Sequence, residues 1–236
     1  MKGKFVMVDG LDGSGKGVAV NALKEWAVSK GMNVLDLREY WKNNEGFPDI
    51  EGYDVIASAE PTFTGTGRKI REELIRNGSA ATAKEVAEAF SEDRKELYEK
   101  VIMPARKAGK LIFQERGVIT SIVYQPIMGE SETDLDFVLN LPGNKLCLDN
   151  APDLLVITVV DPEVVIERLG KREKDDNAIF EKLEFQKKVK KIYEGNWLKK
   201  LFEEKGSKVA YLDTNPPSTV EDTKKKIVEI FESLTT

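Results

Sequence analysis

The sequence predicts an α/β fold in which a central parallel β-sheet of about five strands is covered by helices on both faces. Short apolar runs alternate with longer amphipathic segments along the 236 residues. Two runs, Ile112–Phe113 and Leu154–Val160, are continuously apolar, as strands buried on both faces of a parallel sheet are. The alternation favours one doubly covered sheet, and the length fits a single domain over residues 1–236.

Six runs have strand character and six segments have helical character. The strand-like runs are Phe5–Asp9, Val34–Leu37, Val55–Ala59, Leu111–Glu115, Leu154–Val159 and Val209–Leu212. The helical segments are Val18–Ser29, Gly67–Arg76, Lys84–Lys107, Pro162–Arg172, Phe180–Phe202 and Val220–Leu234. The fourth helix has the clearest start, because Asp161 is a favoured N-cap and Pro162 a favoured first helical residue. Residues 39–52 are polar and turn-rich, which predicts a surface insertion.

Composition excludes several kinds of chemistry. The chain has no histidine, so histidine-based catalysis and histidine metal sites are excluded. Cys147 is the single cysteine, which precludes an intramolecular disulfide and favours a reducing, cytoplasmic setting. The net charge of −5 argues against nucleic-acid binding. No apolar run has the length of a membrane span, and Met1–Lys4 leads directly into a strand, so we expect neither membrane association nor a signal peptide.

The first strand ends in a glycine-rich turn that leads into a helix. The turn reads Gly10-Leu11-Asp12-Gly13-Ser14-Gly15-Lys16, the Gly-x4-Gly-Lys pattern of a P-loop. In that motif backbone N–H groups and the helix N-terminus bind phosphate, and the lysine reaches the terminal phosphates. A P-loop NTPase fold is therefore predicted, with ATP-binding residues Gly10, Asp12, Gly13, Ser14, Gly15, Lys16 and Gly17. Gly17 stands where a Mg²⁺-binding serine or threonine is expected.

Residues 170–180 begin with a dense group of charges between two helical segments. One interpretation is a solvated connector, and the other is a lid that brings cations over bound phosphates. The lid is favoured because phosphoryl transfer requires that water be excluded from the site.

Charged residues follow three of the predicted strands, at the edge where such sheets bind ligands. Asp12 and Lys16 follow the first strand, Glu60 follows the third, and Glu115 and Arg116 end the fourth. Glu115 is placed like the acidic Walker-B residue that holds Mg²⁺ directly or through water. Structural helix caps are the competing explanation for these carboxylates.

Phe90 and Arg94 lie one turn apart on a predicted helix. Together they could stack on a base and hold a phosphate. Core packing remains the alternative for Phe90, and a surface ion pair with a neighbouring acid remains the alternative for Arg94.

The motifs, in this order, resemble the thymidylate kinase family, particularly its archaeal-type members. The similarity comprises the P-loop with Asp12, Glu60-Pro61-Thr62 with the following helix, Phe90-x-x-x-Arg94, Glu115-Arg116, Thr120-Ser121 with Tyr124-Gln125, and a lid region with Arg168, Arg172 and Phe180. The resemblance implies transfer of the ATP γ-phosphate to dTMP with Mg²⁺, and a homodimer.

The resemblance also implies roles for the matching positions. The implied catalytic residues are Lys16, Arg94, Arg116 and Arg172, and the implied metal ligand is Glu115. The implied acceptor-binding residues are Asp12, Glu60, Arg71, Phe90, Arg94, Arg116, Ser121, Gln125 and Phe180. Within this set Asp12 contacts the sugar, Phe90 stacks on thymine, and Phe180 disfavours a 2′-hydroxyl. Ala59 replaces an arginine that many members carry before Glu60-Pro61, and Arg68 or Arg71 could compensate. Glu115 replaces the usual aspartate.

Two other functions remain open at this point. A deoxynucleoside kinase would phosphorylate a 5′-hydroxyl and would need a base, for which Glu60 is a candidate. A nucleotide-binding module that has lost turnover with the hydroxyl at position 17 is the second. An assay of dTMP against thymidine separates the first from a monophosphate kinase, and ATP binding without ADP formation would identify the second.

Overall fold

The computed structural model describes residues 3–76, 78–129, 132–170 and 183–235. Six strands form one parallel sheet: β1 (Phe5–Gly10), β2 (Val34–Asp36), β3 (Val55–Ala59), β4 (Leu111–Glu115), β5 (Leu154–Val159) and β6 (Lys208–Asp213). Their spatial order is β2-β3-β4-β1-β5-β6. The α/β class is confirmed, but the count of about five strands is too low. The edge strand β2 has only three residues and still pairs in parallel with β3.

Twelve helices surround the sheet within the described residues. They are α1 (Lys16–Ser29), α2 (Leu37–Tyr40), α3 (Gly65–Lys69), α4 (Ala83–Leu97), α5 (Met103–Lys107), α6 (Val118–Met128), α7 (Leu135–Asn140), α8 (Pro142–Asp149), α9 (Pro162–Gly170), α10 (Leu183–Tyr193), α11 (Asn196–Glu204) and α12 (Val220–Thr235). π-Helical turns over Ile70–Leu74 and Tyr98–Ile102 follow α3 and α4. None of the helices in these ranges is both long and apolar enough to cross a membrane.

Side chains that alternate along the strands supply two apolar clusters. On one face Val6 and Val8 of β1 pack with Phe231 of α12 and with α1. On the other face Phe5 and Met7 pack with α4 and α6. Helices cover both faces of the sheet. The carboxyl ends of the strands are left uncovered, and the loops that follow the strands meet at this end of the sheet.

The helix predictions were incomplete in three places. The short helix α2 was not predicted, because Leu37 was assigned to the second strand-like run and residues 39–52 to a turn-rich insertion. The sequence analysis identified no helix between β4 and β5, where α6, α7 and α8 lie. Phe180–Phe202 was predicted as one helix, but within its described part α10 ends at Tyr193 and α11 begins at Asn196. Gly195 separates them with φ −71° and ψ 134°, an extended conformation that interrupts a helix. The end of the predicted helix Pro162–Arg172 lies outside the described residues.

Residues 39–52 connect α2 to the loop before β3. Trp41 anchors this segment, because its side chain is only 3% exposed and packs with Phe47 and Phe63 at ring-centroid distances of 5.8 and 6.5 Å. The Trp41 indole Nε1 donates to the Gly46 carbonyl at 2.6 Å. The surface of this segment is polar, and its buried side chains pack against the apolar cluster that contains Phe5 and Met7.

Candidate active site

The P-loop joins β1 to α1 and depends on its glycines. Gly10, Gly13 and Gly15 have φ values of 145°, 74° and 91°, which disfavour other residues. A Cβ on Gly10 would also lie 2.3 Å from the Thr158 hydroxyl oxygen on β5. That hydroxyl is 2.5 Å from the Ser14 hydroxyl, which fastens the loop to the neighbouring strand. The predicted loop conformation is therefore set by local glycines and by one side chain on β5.

Lys16 lies at the start of α1 with its side chain buried against the loop. Its Nζ donates to the carbonyl oxygens of Gly10 and Leu11 at 3.0 and 2.6 Å. Burial, reinforced by the nearby Arg116 guanidinium, lowers the pKa of Lys16 to about 8. The ammonium group lies 3.9 Å from an Asp12 carboxylate oxygen, and the carboxylates of Asp12, Asp9 and Glu115 only partly offset the lowering of its pKa. An anionic group at the loop would stabilise the charged form of this lysine.

Arg116 connects the end of β4 to the P-loop. Its Nη2 is ion-paired and hydrogen-bonded with the Asp12 Oδ1. The residue has φ 64°, and its backbone N–H donates to the Val8 carbonyl at 2.9 Å. Although burial opposes the charge, Asp12 is the main group that raises the pKa of Arg116 well above its usual value. A non-glycine residue in the left-handed region is typical of a constrained functional position.

Glu115 ends β4 beside the first turn of α1. A Cβ built on Gly17 would lie 3.3 Å from the Glu115 Oε2, so the carboxylate occupies the space next to position 17. The same oxygen is 2.8 Å from the Arg38 Nη2. Among the residues that the structure describes, no group of three or more metal-binding side chains is present. The single carboxylate of Glu115 fits Mg²⁺, because in nucleotide sites this ion takes one or two carboxylates and completes its coordination with phosphate oxygens and water.

Arg94 on α4 lies at the centre of a buried polar cluster and is only 1% exposed. Its Nε donates to the Glu60 Oε2 at 2.7 Å, and its Nη2 donates to the Ser121 hydroxyl at 3.1 Å and the Gly117 carbonyl at 3.3 Å. Its Nη1 donates to the Asn144 side-chain oxygen. The surface ion pair considered for Arg94 is therefore wrong. Its partner is buried and comes from the end of β3.

Glu60 is the anion of this cluster. The Gln114 Nε2 donates to its Oε1 at 2.9 Å, so each carboxylate oxygen has a donor. Burial raises the pKa of Glu60 to about 7, and the Arg94 guanidinium limits that rise. Although burial opposes it, the proximity of Glu60 raises the pKa of Arg94. The two side chains hold each other in position inside the protein.

The remaining predicted acceptor residues lie around this cluster. The Gln125 Nε2 donates to the Ser121 hydroxyl at 3.0 Å, while the Gln125 Oε1 is buried without a hydrogen-bond partner among the described residues. Phe90 is half-buried and belongs to neither apolar cluster, which argues against the core-packing alternative. An aromatic face and an unsatisfied amide oxygen are suited to a planar, polar ligand.

Arg71 and Arg68 follow the Glu60-Pro61 turn but have different surroundings. Arg71 donates through Nε to the Pro61 and Thr62 carbonyl oxygens at 3.0 and 3.1 Å. Burial, together with repulsion from Arg38 and Arg116, lowers the pKa of Arg71 to about 10. Arg68 instead pairs with Glu45 at 2.5 Å, in the 39–52 segment. Of these two arginines, only Arg71 therefore interacts with the charged side chains near the ends of the strands.

The predicted lid is described only at its start. Arg168 on α9 donates to the Thr214 carbonyl at 2.6 Å and to the Gly13 carbonyl at 3.3 Å, which places it beside the P-loop. Arg172 and Phe180, and with them most of the 170–180 segment, lie outside the described residues. Their predicted roles stay predictions.

The sequence analysis missed four residues that shape the site. Asn144 on α8 binds Arg94, and Thr158 on β5 binds the P-loop. Tyr193 donates to the Asp9 Oδ1 at 2.9 Å, beneath the loop, and Arg38 reaches Glu115. None belongs to a local motif, but Thr158 and Arg38 lie at the ends of predicted strands, and this position is a signal that could have identified both.

A P-loop lysine and a buried arginine cluster at one edge of a parallel sheet define a P-loop phosphotransferase. The Thymidylate kinase family model matches residues 49–227. A probable thymidylate kinase from Pyrococcus abyssi is 31% identical over 198 residues, which cover 82% of each chain. A thymidylate kinase from Caldicellulosiruptor saccharolyticus is 28% identical over 99% of this chain and 98% of its own length. The chain belongs to the thymidylate kinase family, which confirms the resemblance.

Proposed function

We propose that the chain transfers the γ-phosphate of ATP to dTMP and releases dTDP. Relatives named thymidylate kinase that align along nearly the whole chain support this activity. The observation that carries it is the Asp12–Arg116 ion pair, which joins the P-loop to the end of β4. The donor loop and the acceptor side of the proposed site are therefore adjacent, as phosphate transfer between two bound nucleotides requires.

On the donor side, the P-loop N–H groups and Lys16 bind the ATP phosphates. Arg168, which already contacts the carbonyl of Gly13, lies beside the bound donor. The phosphates supply the further negative charge that stabilises the charged form of Lys16, whose pKa is lowered to about 8. Arg172 of the lid completes the set of cations, as the family resemblance implies.

On the acceptor side, Phe90 stacks on the thymine ring, and Gln125 and Ser121 line the base pocket. The unsatisfied Gln125 Oε1 accepts a hydrogen bond from the base N–H. Arg94, which Glu60 holds in place, binds the acceptor in this proposal. As the family resemblance implies, Arg116 binds the acceptor phosphate with Arg71 as a further cation, Asp12 contacts the sugar, and Phe180 disfavours a 2′-hydroxyl.

The chemistry requires no general base, which is consistent with a chain without histidine. The second pKa of a phosphate monoester is about 6, so the dTMP phosphate is already a dianion at neutral pH. The chain's own residues align the two phosphates and stabilise the charge that spreads over the transferred group. Mg²⁺, when bound with ATP, neutralises charge on the donor phosphates, and Glu115 is the side chain that would hold it.

The surroundings of Glu60 argue against a deoxynucleoside kinase. Both carboxylate oxygens are already bound by Arg94 and Gln114, and the side chain is buried. A base for a 5′-hydroxyl must instead face the substrate. The homodimer and the cytoplasmic setting remain parts of this proposal that rest on the family and on composition.

An assay with ATP and Mg²⁺ against dTMP, dUMP, UMP, CMP, AMP and thymidine tests the proposal. We expect the highest kcat/KM with dTMP and formation of dTDP and ADP in equal amounts. Phosphorylation of thymidine without phosphorylation of dTMP would contradict it. ATP binding without ADP formation with any acceptor would identify a module without turnover.

A further inference from the structure

The acceptor site lacks one expected cation. Ala59, at the end of β3, stands where many family members carry arginine. Of the two arginines proposed as substitutes, Arg68 is held by Glu45 and by the Phe63 carbonyl. The other, Arg71, already donates through Nε and Nη2 to the carbonyl oxygens of the Glu60-Pro61 turn. An arginine from another part of the chain could therefore supply the cation that position 59 lacks, provided that the proposed function is correct.

Arg38 follows the neighbouring strand and lies on α2. β2 pairs in parallel with β3, and the last matched pair is Asp36 with Ala57. Asp36 ends β2 and caps α2, so Arg38 is in the first turn of a short helix that begins at the same edge of the sheet at which β3 ends. The first turn of α2 therefore brings an arginine to the strand ends near Ala59.

The Arg38 side chain spans the end of β3. Its Nη2 lies 2.8 Å from the Glu115 Oε2 on β4, and β3 lies between β2 and β4 in the sheet. The residue of β3 paired with Glu115 is Ala59. The small alanine thus lies at the end of the strand that the Arg38 side chain crosses on its way from α2 to Glu115.

The backbone of Arg38 is held firmly at its base. Asp36 caps α2 by accepting a hydrogen bond from the Arg38 N–H at 3.0 Å, and Lys24 binds the other Asp36 oxygen at 2.5 Å. Leu37 is fully buried between these residues. A fixed backbone reduces the entropy lost when the side chain binds a ligand.

The Arg38 guanidinium retains binding capacity. The side chain is 39% exposed, and its Nε has no hydrogen-bond partner among the described residues, so the guanidinium has donors that its contact with Glu115 does not use. Arg38 and Arg116 both contribute, with burial, to the lowered pKa of Arg71. The guanidinium groups of Arg38, Arg71 and Arg116 therefore lie close enough to interact with one another. Such a group of positive charges suits the binding of a doubly charged phosphate.

We propose that Arg38 binds the phosphate of the acceptor nucleotide and replaces the arginine absent from position 59. Glu115 holds its guanidinium at the strand ends before the acceptor enters. The short helix α2, which follows the edge strand β2, is then part of the substrate site.

Calorimetric titration of dTMP and of thymidine, without ATP or Mg²⁺, tests this assignment on wild type, Arg38→Ala and Arg68→Ala. The two arginines are a matched pair, since each side chain is 39% exposed and pairs with one glutamate. A charge-assisted hydrogen bond contributes about 1.5–3 kcal/mol, so Arg38→Ala should weaken dTMP binding about 10- to 100-fold. Thymidine binding should not change, and Arg68→Ala should change neither affinity.

Kinetics and a conservative variant complete the test. Arg38→Ala should raise the KM for dTMP and leave the KM for ATP unchanged, while Arg38→Lys should recover part of the dTMP affinity. Unchanged dTMP binding in Arg38→Ala, or equal losses for dTMP and thymidine, would overturn the assignment while leaving the proposed function intact. A wild-type protein that neither binds nor phosphorylates dTMP would overturn both.

Discussion

The two ends of the site, the P-loop and the Arg94 cluster, are built in different ways. The P-loop takes its shape from consecutive residues, with three glycines in the left-handed region and a lysine bound to loop carbonyls. The Arg94 cluster draws its side chains from α4, α6, α8 and the end of β3. One end is determined mainly by local sequence, and the other is determined by tertiary packing.

The two ends also differ in how their charges are balanced. Lys16 has a lowered pKa that the nearby carboxylates only partly offset, so its site favours an incoming anion. Arg94 is paired with Glu60 in the absence of any ligand. We therefore expect variants of Lys16 to affect catalysis alone, whereas variants of Arg94 should affect folding as well.

Lys16→Ala should have the largest effect on turnover. Removing one charge-stabilising donor from a transition state commonly lowers kcat about 10²–10³-fold, and we expect the upper end of that range because Lys16 is buried. The thermal midpoint should change little, since the buried Asp9 near the lysine keeps the charge of Arg116 and the hydrogen bonds from Thr120, Tyr193 and its neighbour Gly10. Steady-state kinetics and calorimetric unfolding measure the two quantities.

Lys30→Ala is the control for this prediction, because Lys30 is exposed at the other end of α1. It should retain wild-type kcat. If Lys16→Ala retained comparable turnover, the P-loop could not be the donor site.

Arg94→Met should reduce stability as well as acceptor binding. It leaves Glu60 buried without its cation, and breaking such a pair costs about 3–5 kcal/mol of unfolding free energy. The double variant Arg94→Met/Glu60→Gln removes the stranded charge and should recover most of that loss. Denaturant unfolding of the two variants and of wild type measures the recovery.

The same double variant separates packing from function. It should still bind dTMP poorly while its KM for ATP stays near wild type, because Arg94 lies on the acceptor side. Recovery of dTMP affinity together with stability would mean that Arg94 has only a structural role.

The difference between the two ends also explains what the sequence could predict. The strands, the P-loop and the order of motifs are encoded locally, in apolar runs and in glycine spacing. The partners of Asn144 and Arg38 could not be found in this way, because each residue meets its partner through sheet order or helix packing. The helices α6 to α8 were missed although Asp134 caps α7 and Pro142 begins α8. The residues of α6 are mostly apolar, and α7 and α8 have only six and eight residues, so none of the three shows a clear helical period.

Gly17→Ala tests how the donor end accommodates its unusual residues, with an intermediate expected effect, and adds a Cβ without adding the hydroxyl that could itself bind a metal ion. This Cβ would crowd the Glu115 carboxylate at 3.3 Å, so the variant should weaken Mn²⁺ binding in the presence of ADP by about 1 kcal/mol. Glu115→Asp shortens the acid and should relieve the contact in the double variant. Electron paramagnetic resonance of Mn²⁺ across this double-mutant cycle should give a coupling energy of about 1 kcal/mol. Effects that add within about 0.3–0.5 kcal/mol would show that the two positions are independent.

Phe90→Leu should have the smallest effect, and it should fall only on the acceptor end. Leucine keeps an apolar surface but loses aromatic stacking, which contributes about 0.5–1.5 kcal/mol, so the KM for dTMP should rise about two- to tenfold. Stability should stay within about 0.5 kcal/mol of wild type, because Phe90 belongs to neither apolar cluster. Phe113→Leu is the contrasting variant, since Phe113 is fully buried and packs against Phe231 at 5.5 Å. It should lower stability and leave the KM for dTMP unchanged. If Phe90→Leu destabilised the protein as much as Phe113→Leu does, Phe90 would be a core residue, and the acceptor end would lack its stacking surface.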